Sequence, residues 1–307
     1  MHHWQFWIAL SIVVLLVGDL TAQSKSIAER LGYPADSKLL IIHADDLAVA
    51  HSVDSASFDA LDKNAVTSAS ILVPCPWLTE VADYAKAHPD ADLGLHLTLT
   101  SEWKTYRWGP IESRDKVPGL LDPAGTLWSQ TALVASNGNP QEAEREIRAQ
   151  VEHALALGIH PTHLDSHMGS LFSSPALIAA YVKVAHEYHL PFLVLRIPGA
   201  DLSTLSDKDV VLDAIVIANP NLRRDQWKEF YLNAIKALKP GLTEMIVHLG
   251  HDDAELQAIT VGQEAFGSAW RQRDYDVVTS AEFKQALQEN RVILVKWRDL
   301  QKLVNQQ

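Results

Sequence analysis

From residue 39 onward the chain alternates between short runs of β-favouring aliphatic residues and longer stretches in which apolar positions recur at helical spacing. The short runs lie at 39–44, 68–73, 92–99, 162–166, 192–197, 210–217, 243–248 and 291–295, and each predicts a strand. Between them, VDSASFDALDKNA, LTEVADYAKAH, PQEAEREIRAQVEHALALG, SPALIAAYVKVAHEYHL and RRDQWKEFYLNAIKALKPG predict helices. Ser174 before Pro175 reads as an N-cap followed by proline at the first helical position, and Gly158, with Pro161 soon after, reads as a helix stop. Strand and helix alternate without an obvious linker, internal repeat or low-complexity segment. That pattern predicts one α/β domain whose parallel sheet carries crossover helices and closes into a barrel.

Counting by twos sorts the strand faces. In DLGLHLTLT, Leu93, Leu95, Leu97 and Leu99 share one face, and Gly94, His96 and Thr98 share the other. A barrel strand turns its large aliphatics toward the surrounding helices, so His96 is expected to point inward. In PTHLDSHMG the same count places His163, Asp165 and His167 opposite Leu164. Three ionisable groups at alternate positions fill a dry core poorly, because each needs a partner to offset its desolvation. The stretch LLIIHADDLAVAH ends a strand with two adjacent carboxylates, Asp45 and Asp46. In parallel α/β folds the reactive groups collect at the carboxyl ends of strands, and Asp45, Asp46, His96, His167 and His248 all fall at or near such ends. Adjacent carboxylates repel unless a positive charge sits beside them, and two neutral imidazoles with one carboxylate make a hydrolytic metal set. One aspartate is expected to bind metal, leaving the other free to act as a base.

Composition narrows the partners. Among 307 residues, 26 Lys and Arg stand against 38 Asp and Glu, a formal net charge of −12. Binding to nucleic acid relies on clustered cations, so a neutral substrate fits better and no nucleic-acid partner is expected. The stretch WQFWIALSIVVLLVG, followed by DLTAQS with Ala22 at a plausible cleavage point, reads as a secretory signal over residues 1–22. It is short for a spanning helix, which needs about 20 apolar residues. Export to the periplasm or the exterior is expected, without stable membrane insertion after cleavage; an uncleaved anchor is the alternative. The single Cys75 cannot form an internal disulfide, so the exported domain, residues 23–307, must be stable through its core.

The stretch IIHADDLAVAHSVDSA resembles the Ala-Asp-Asp signature of the YdjC-like carbohydrate deacetylases, a family that includes chitooligosaccharide deacetylases and hopanoid-associated members. GLHLTLT, THLDSHMG and EMIVHLGH follow in the family's order at similar spacing, and WRQRDYDVVTSAEFKQAL resembles its C-terminal segment. The resemblance implies a distorted (β/α) TIM-like barrel that removes an acetyl group from an N-acetylated sugar with a divalent metal. It implies Asp46, His96 and His167 as metal ligands, Asp45 as general base and His248 as a candidate general acid. The chain departs from the family where His43 replaces a common Asn, where Leu249 replaces a proline, and where Met168-Gly169 replaces a Gln-His pair.

An amide is a poor electrophile, and a metal that polarises its carbonyl while lowering the pKa of bound water from about 15.7 toward 7 addresses both halves of the problem. Asp45 would take a proton from that water. His248 would protonate the leaving amine from an imidazole pKa near its ordinary value of about 6.5, with His251 in reserve. Asp165 is the expected second-layer acceptor that orients an imidazole. Two nitrogens, one oxygen and an open position favour Zn²⁺, with Mg²⁺ or another divalent ion as alternatives. The long irregular segment SEWKTYRWGPIESRDKVPGLLDPAGTLWSQ follows the His96 strand, and its Trp103 and Trp108 are expected either to stack on a sugar or to anchor the loop. Arg196 and Arg273 are expected to hydrogen-bond the substrate or Asp45. Competing readings are a metal-containing glycosidase and a non-catalytic sugar-binding protein, and a homodimer is left open.

Overall fold

The computed structural model describes residues 25–196 and 204–305. The proposed signal, residues 1–22, lies outside them. Seven strands form one parallel sheet among the described residues: β1 (Lys38–Leu47), β2 (Ser68–Ile71), β3 (Leu93–Leu97), β4 (Leu164–Ser166), β5 (Ala214–Ile217), β6 (Gly241–Val247) and β7 (Ile293–Leu294). The order is β4-β3-β2-β1-β6-β5, with β7 paired to the first residues of β1 through Leu39↔Ile293 and Leu40↔Leu294. Every ladder is parallel, as strands joined by crossover helices must be.

The ring is completed by single bridges rather than ladders. Leu164 of β4 bridges Phe192, and Leu195 bridges Leu212, just before β5. Leu193 N–H donates to Leu164 O at 2.8 Å, and Leu212 N–H donates to Val194 O at 2.9 Å. Of the run expected as a strand at 192–197, the described residues 192–196 are therefore the seam of the barrel, too irregular for a ladder, and this seam is what distorts the α/β, TIM-like, single-domain fold.

The helices form where the apolar spacing predicts them. His51–Asp62, Leu78–Ala87, Pro140–Ala156, Pro175–Glu187 and Trp227–Ala237 correspond to the five expected segments. The Ser174 hydroxyl accepts from Leu177 N–H at 3.3 Å, capping the helix that Pro175 begins. Gly158 has φ +81, the left-handed conformation that ends a helix at little steric cost to glycine.

On β1 the inward face runs Leu39, Ile41, His43, Asp45, while Leu40, Ile42 and Ala44 pack outward under the helices. Leu39 and Ile41 join Leu193, Val210, Leu212, Leu242, Val295 and Trp297 in a closed apolar plug at the amino-terminal end of the barrel. Trp297, fully buried, opens the last helix, Trp297–Val304, and lays its ring under His163 at 5.0 Å and 13°. Gly94 on β3 makes room for that imidazole: a Cβ there would lie 2.3 Å from the His163 ring.

Candidate active site

Above the plug the barrel interior turns polar. Asp45, Asp46, His96 and His167 meet at the carboxyl rim, each at most 5% exposed. Two neighbours on one strand normally face opposite ways, so bringing both aspartates to one point needs a break in the pleat. The β1–β2 register shifts between Ala44 and Leu47, the β1–β6 ladder ends at Ala44↔Val247, and Asp46 and Ala48 have φ of +75 and +74. This bulge turns Asp46 back toward the interior beside Asp45. Holding non-glycine residues in the left-handed region costs on the order of 1 kcal/mol or more each, and such strain gathers where geometry serves a site.

His96 comes from β3, at the inward position its alternation predicts. His167 follows the last residue of β4, where Met168 and Gly169, at φ +53 and +63, swing the chain off the sheet. Asp46 Oδ1 lies 3.5 Å from His96 Nε2 and 3.4 Å from His167 Nδ1. That oxygen is buried with no hydrogen-bond partner. An unpartnered carboxylate oxygen facing two imidazole nitrogens is a donor set that suits a divalent cation, and Asp46, His96 and His167 are one of the groups spaced to hold it.

Partners behind each ligand fix its orientation. His96 Nδ1 is 2.6 Å from Asp165 Oδ1, which leaves Nε2 for the cation. His167 presents the opposite nitrogen, because its Nε2 is 3.0 Å from Glu102 Oε2. Asp46 Oδ2 accepts from Arg271 at 2.6 Å. Burial opposes charge at Asp46, but Arg271 and then His167 hold its carboxyl well below the usual range. Burial likewise disfavours the His167 imidazolium, yet Glu102 and Asp46 push that group up to about 10. A proton thus occupies the ligand nitrogen that a cation would displace.

Asp45 divides its two oxygens. Oδ1 is 3.1 Å from His43 Nε2, while Oδ2 is 3.7 Å from His96 Nε2 and 3.8 Å from His248 Nε2. The backbone N–H of His248 donates to Asp274 Oδ2 at 3.0 Å, and Asp274 also accepts from Trp227 and Tyr231. Burial pushes the His248 imidazole down to about 4, outweighing the nearby Asp46 and Asp45. The expectation of an ordinary imidazole pKa is therefore corrected: desolvation keeps this ring neutral at pH 7.

The other expected residues sort differently. Asp165 stands behind His96, as expected. Trp103 and Trp108 are only 3% and 5% exposed and belong to the apolar core. They wall the site, Trp108 lying 6.2 Å from the His167 ring and Trp103 lying 5.7 Å from the Arg271 guanidinium carbon. The loop thus turns its indoles inward and leaves no open stacking face on either. Arg196 is exposed and lies 3.6 Å from Asp213 at the barrel seam. Arg273 lies over the Trp227 ring at 4.5 Å. Neither makes a bond to Asp45 among the described residues; Arg271, two residues earlier on the helix Ser268–Val278, is the arginine that reaches the carboxylate pair. His251, the reserve acid, packs against Tyr275 instead. Arg271 and Glu102 were missed because only the tertiary fold aims them, although Glu102 does stand just past the end of the His96 strand.

The family model for YdjC-like proteins matches residues 39–289. A carbohydrate deacetylase of Thermus thermophilus is 30% identical over 272 residues, covering 85% of this chain and 93% of that protein. A carbohydrate deacetylase of Thermoanaerobacter pseudethanolicus is 26% identical over 265 residues, covering 85% and 98%. Among solved structures, a protein from Enterococcus faecalis V583 described as cleaving cellobiose-phosphate superposes with a TM-score of 0.72 at 26% identity, covering 86% of this chain and 99% of that one.

Proposed function

Because the chain belongs to the YdjC-like family, we propose that it is a metal-dependent hydrolase that removes the N-acetyl group of an amino sugar or oligosaccharide. The observation that carries this reading is the unpartnered Asp46 Oδ1 facing His96 Nε2 and His167 Nδ1, with Asp45 beside it. Asp46, His96 and His167 would hold a divalent cation, with Zn²⁺ favoured by the two-nitrogen, one-oxygen set. When bound, it supplies the positive charge that polarises an amide carbonyl and acidifies water.

The chain's own residues do the rest. Arg271 anchors Asp46, and Asp165 and Glu102 hold the two imidazoles in the tautomers that present lone pairs. Asp45 Oδ2 is the free carboxylate oxygen at the site and takes the proton from the attacking water. His248 enters neutral, so it cannot give up a proton at the start of the cycle. It receives one from Asp45, whose Oδ2 faces its Nε2 at 3.8 Å. Once protonated it is a stronger acid than an ordinary imidazolium, suited to donating to the leaving amine. Trp103, Trp108 and the bulk of the barrel exclude solvent from this exchange.

Glycosidase chemistry fits less well. Two acids must flank a glycosidic bond about 5–10 Å apart, whereas Asp45 and Asp46 both approach the same nitrogen of His96, at 3.7 and 3.5 Å. Residues 1–22 support export of the mature enzyme. The test is a panel of N-acetylated mono- and oligosaccharides scored for acetate. Release that stops with a chelator and returns with Zn²⁺ is expected; shortened sugars without acetate, or saturable binding without turnover at full metal occupancy, would replace this reading.

A further inference from the structure

One position below Asp45 on the inward face of β1, His43 is completely buried, and three oxygens converge on a single nitrogen of its ring. Ser70 Oγ from β2 lies 3.0 Å from Nε2, Asp165 Oδ2 from β4 lies at 3.0 Å, and Asp45 Oδ1 lies at 3.1 Å. Ionised carboxylate oxygens only accept hydrogen bonds. A bare lone pair on Nε2 would face two of them in the buried barrel interior, so Nε2 must carry the hydrogen. This holds for a neutral or a charged ring, since the second nitrogen, Nδ1, faces only Glu244 Oε1, at 3.6 Å. His163 meets the ring edge-on at 5.0 Å.

The two carboxylates tied by this one N–H have different duties. Asp165 gives Oδ2 to His43 and Oδ1 to His96 Nδ1 at 2.6 Å, so it is clamped between the two imidazoles. Asp45 gives Oδ1 to His43, with the Ser70 hydroxyl at 3.5 Å, and turns Oδ2 toward His96 and His248. Without the anchor on Oδ1, a carboxylate at that place would be free to rotate about its Cβ–Cγ bond and lean into the position meant for the cation.

We propose that His43 is a positioning residue for the reaction: its Nε2–H, shared by Asp45 and Asp165, fixes which oxygen of Asp45 faces the attacking water and locks the base to the carboxylate that orients His96. Its kinetic consequence rests on the deacetylase reading above; its tautomer rests on the fold alone. A glutamine side chain places an amide N–H₂ near the Nε2 position, whereas leucine has similar bulk and offers no N–H to either carboxylate. His43→Leu should therefore lower kcat about 10²-fold, the scale of a misplaced reacting group, with KM and bound metal unchanged, and His43→Gln should recover most of that loss. Equal loss in both variants, wild-type kcat in both, or a Leu defect restored by excess metal would overturn the proposal. Nitrogen-15 NMR of the imidazoles in the wild-type protein gives a readout that needs no substrate: a His43 ring protonated at Nε2 is expected, and an Nδ1–H tautomer would overturn it. If no N-acetylated sugar is turned over, the functional reading falls while the spectrum still decides the role of His43.

Discussion

The two halves of the barrel interior are built on the same strands and do opposite work. At the amino-terminal end, Leu39 and Ile41 of β1 and Leu242 of β6 close on Trp297 in a dry apolar plug. One pleat higher, the same faces carry His43, Asp45 and Glu244, and β4 with the residues on either side of it adds His163, Asp165 and His167. The lower half gains stability from area removed from water. The upper half concentrates buried charge, a net cost unless every group is paired, and its pairing is left incomplete at Asp46 Oδ1, which faces the cation position, and around it at His43 Nδ1, His163 Nε2, Glu244 Oε2 and His248 Nδ1. The boundary is sharp: Glu244, pushed up to about 7 by burial, accepts from Trp297 Nε1 at 2.9 Å, so the plug and the polar layer share one hydrogen bond. A small molecular floor thus supports a costly ceiling.

This division can be broken at either level. The largest effect is expected from Asp45→Asn in the upper half: acetate release should fall about 10²–10⁴-fold, the usual worth of a general base, with a smaller loss of thermal midpoint than any substitution in the plug. Unchanged turnover would remove Asp45 from that role. Next comes Trp297→Ala in the lower half, which opens a cavity and strips Glu244 of its donor. A loss of about 3–5 kcal/mol in denaturant unfolding is expected, while kcat measured on the folded fraction changes far less than in Asp45→Asn. A kinetic defect as large as that of Asp45→Asn would show that the two halves are not separable. The smallest effect should follow Glu102→Gln, which weakens the hold on the His167 tautomer: metal affinity should drop about tenfold, and kcat at saturating metal should stay close to wild type. A titration with no change in affinity would detach Glu102 from the cation site.

Much of this was legible in the chain. Alternation in DLGLHLTLT placed His96 inside, and the same count in PTHLDSHMG placed His163, Asp165 and His167 on one face opposite Leu164; all four ionisable groups are buried. Strand ends marked the rim, and the run of alternating elements marked the barrel. What escaped was the aim of long side chains from other elements. Arg273 stood out in the sequence, but helix geometry carries Arg271 to Asp46 and lays Arg273 on Trp227. Trp103 and Trp108 read equally as sugar-stacking or loop-anchoring residues, and core packing turns both inward, as anchors. The ordinary pKa expected for His248 was displaced by burial.

By itself the sequence determined periodicity, and with it which residues of each strand face the barrel axis and which end of the sheet carries the chemistry, because side-chain direction alternates with the backbone regardless of context. Only the tertiary structure decided how Asp45 and Asp46 come to share one centre, since that needs a bulge and a left-handed residue where the alternation alone would have sent them apart. The same holds for the partners Arg271, Glu102 and His43, whose contacts span as many as 225 positions along the chain. Local pattern cannot encode a distance that exists only once the barrel has closed.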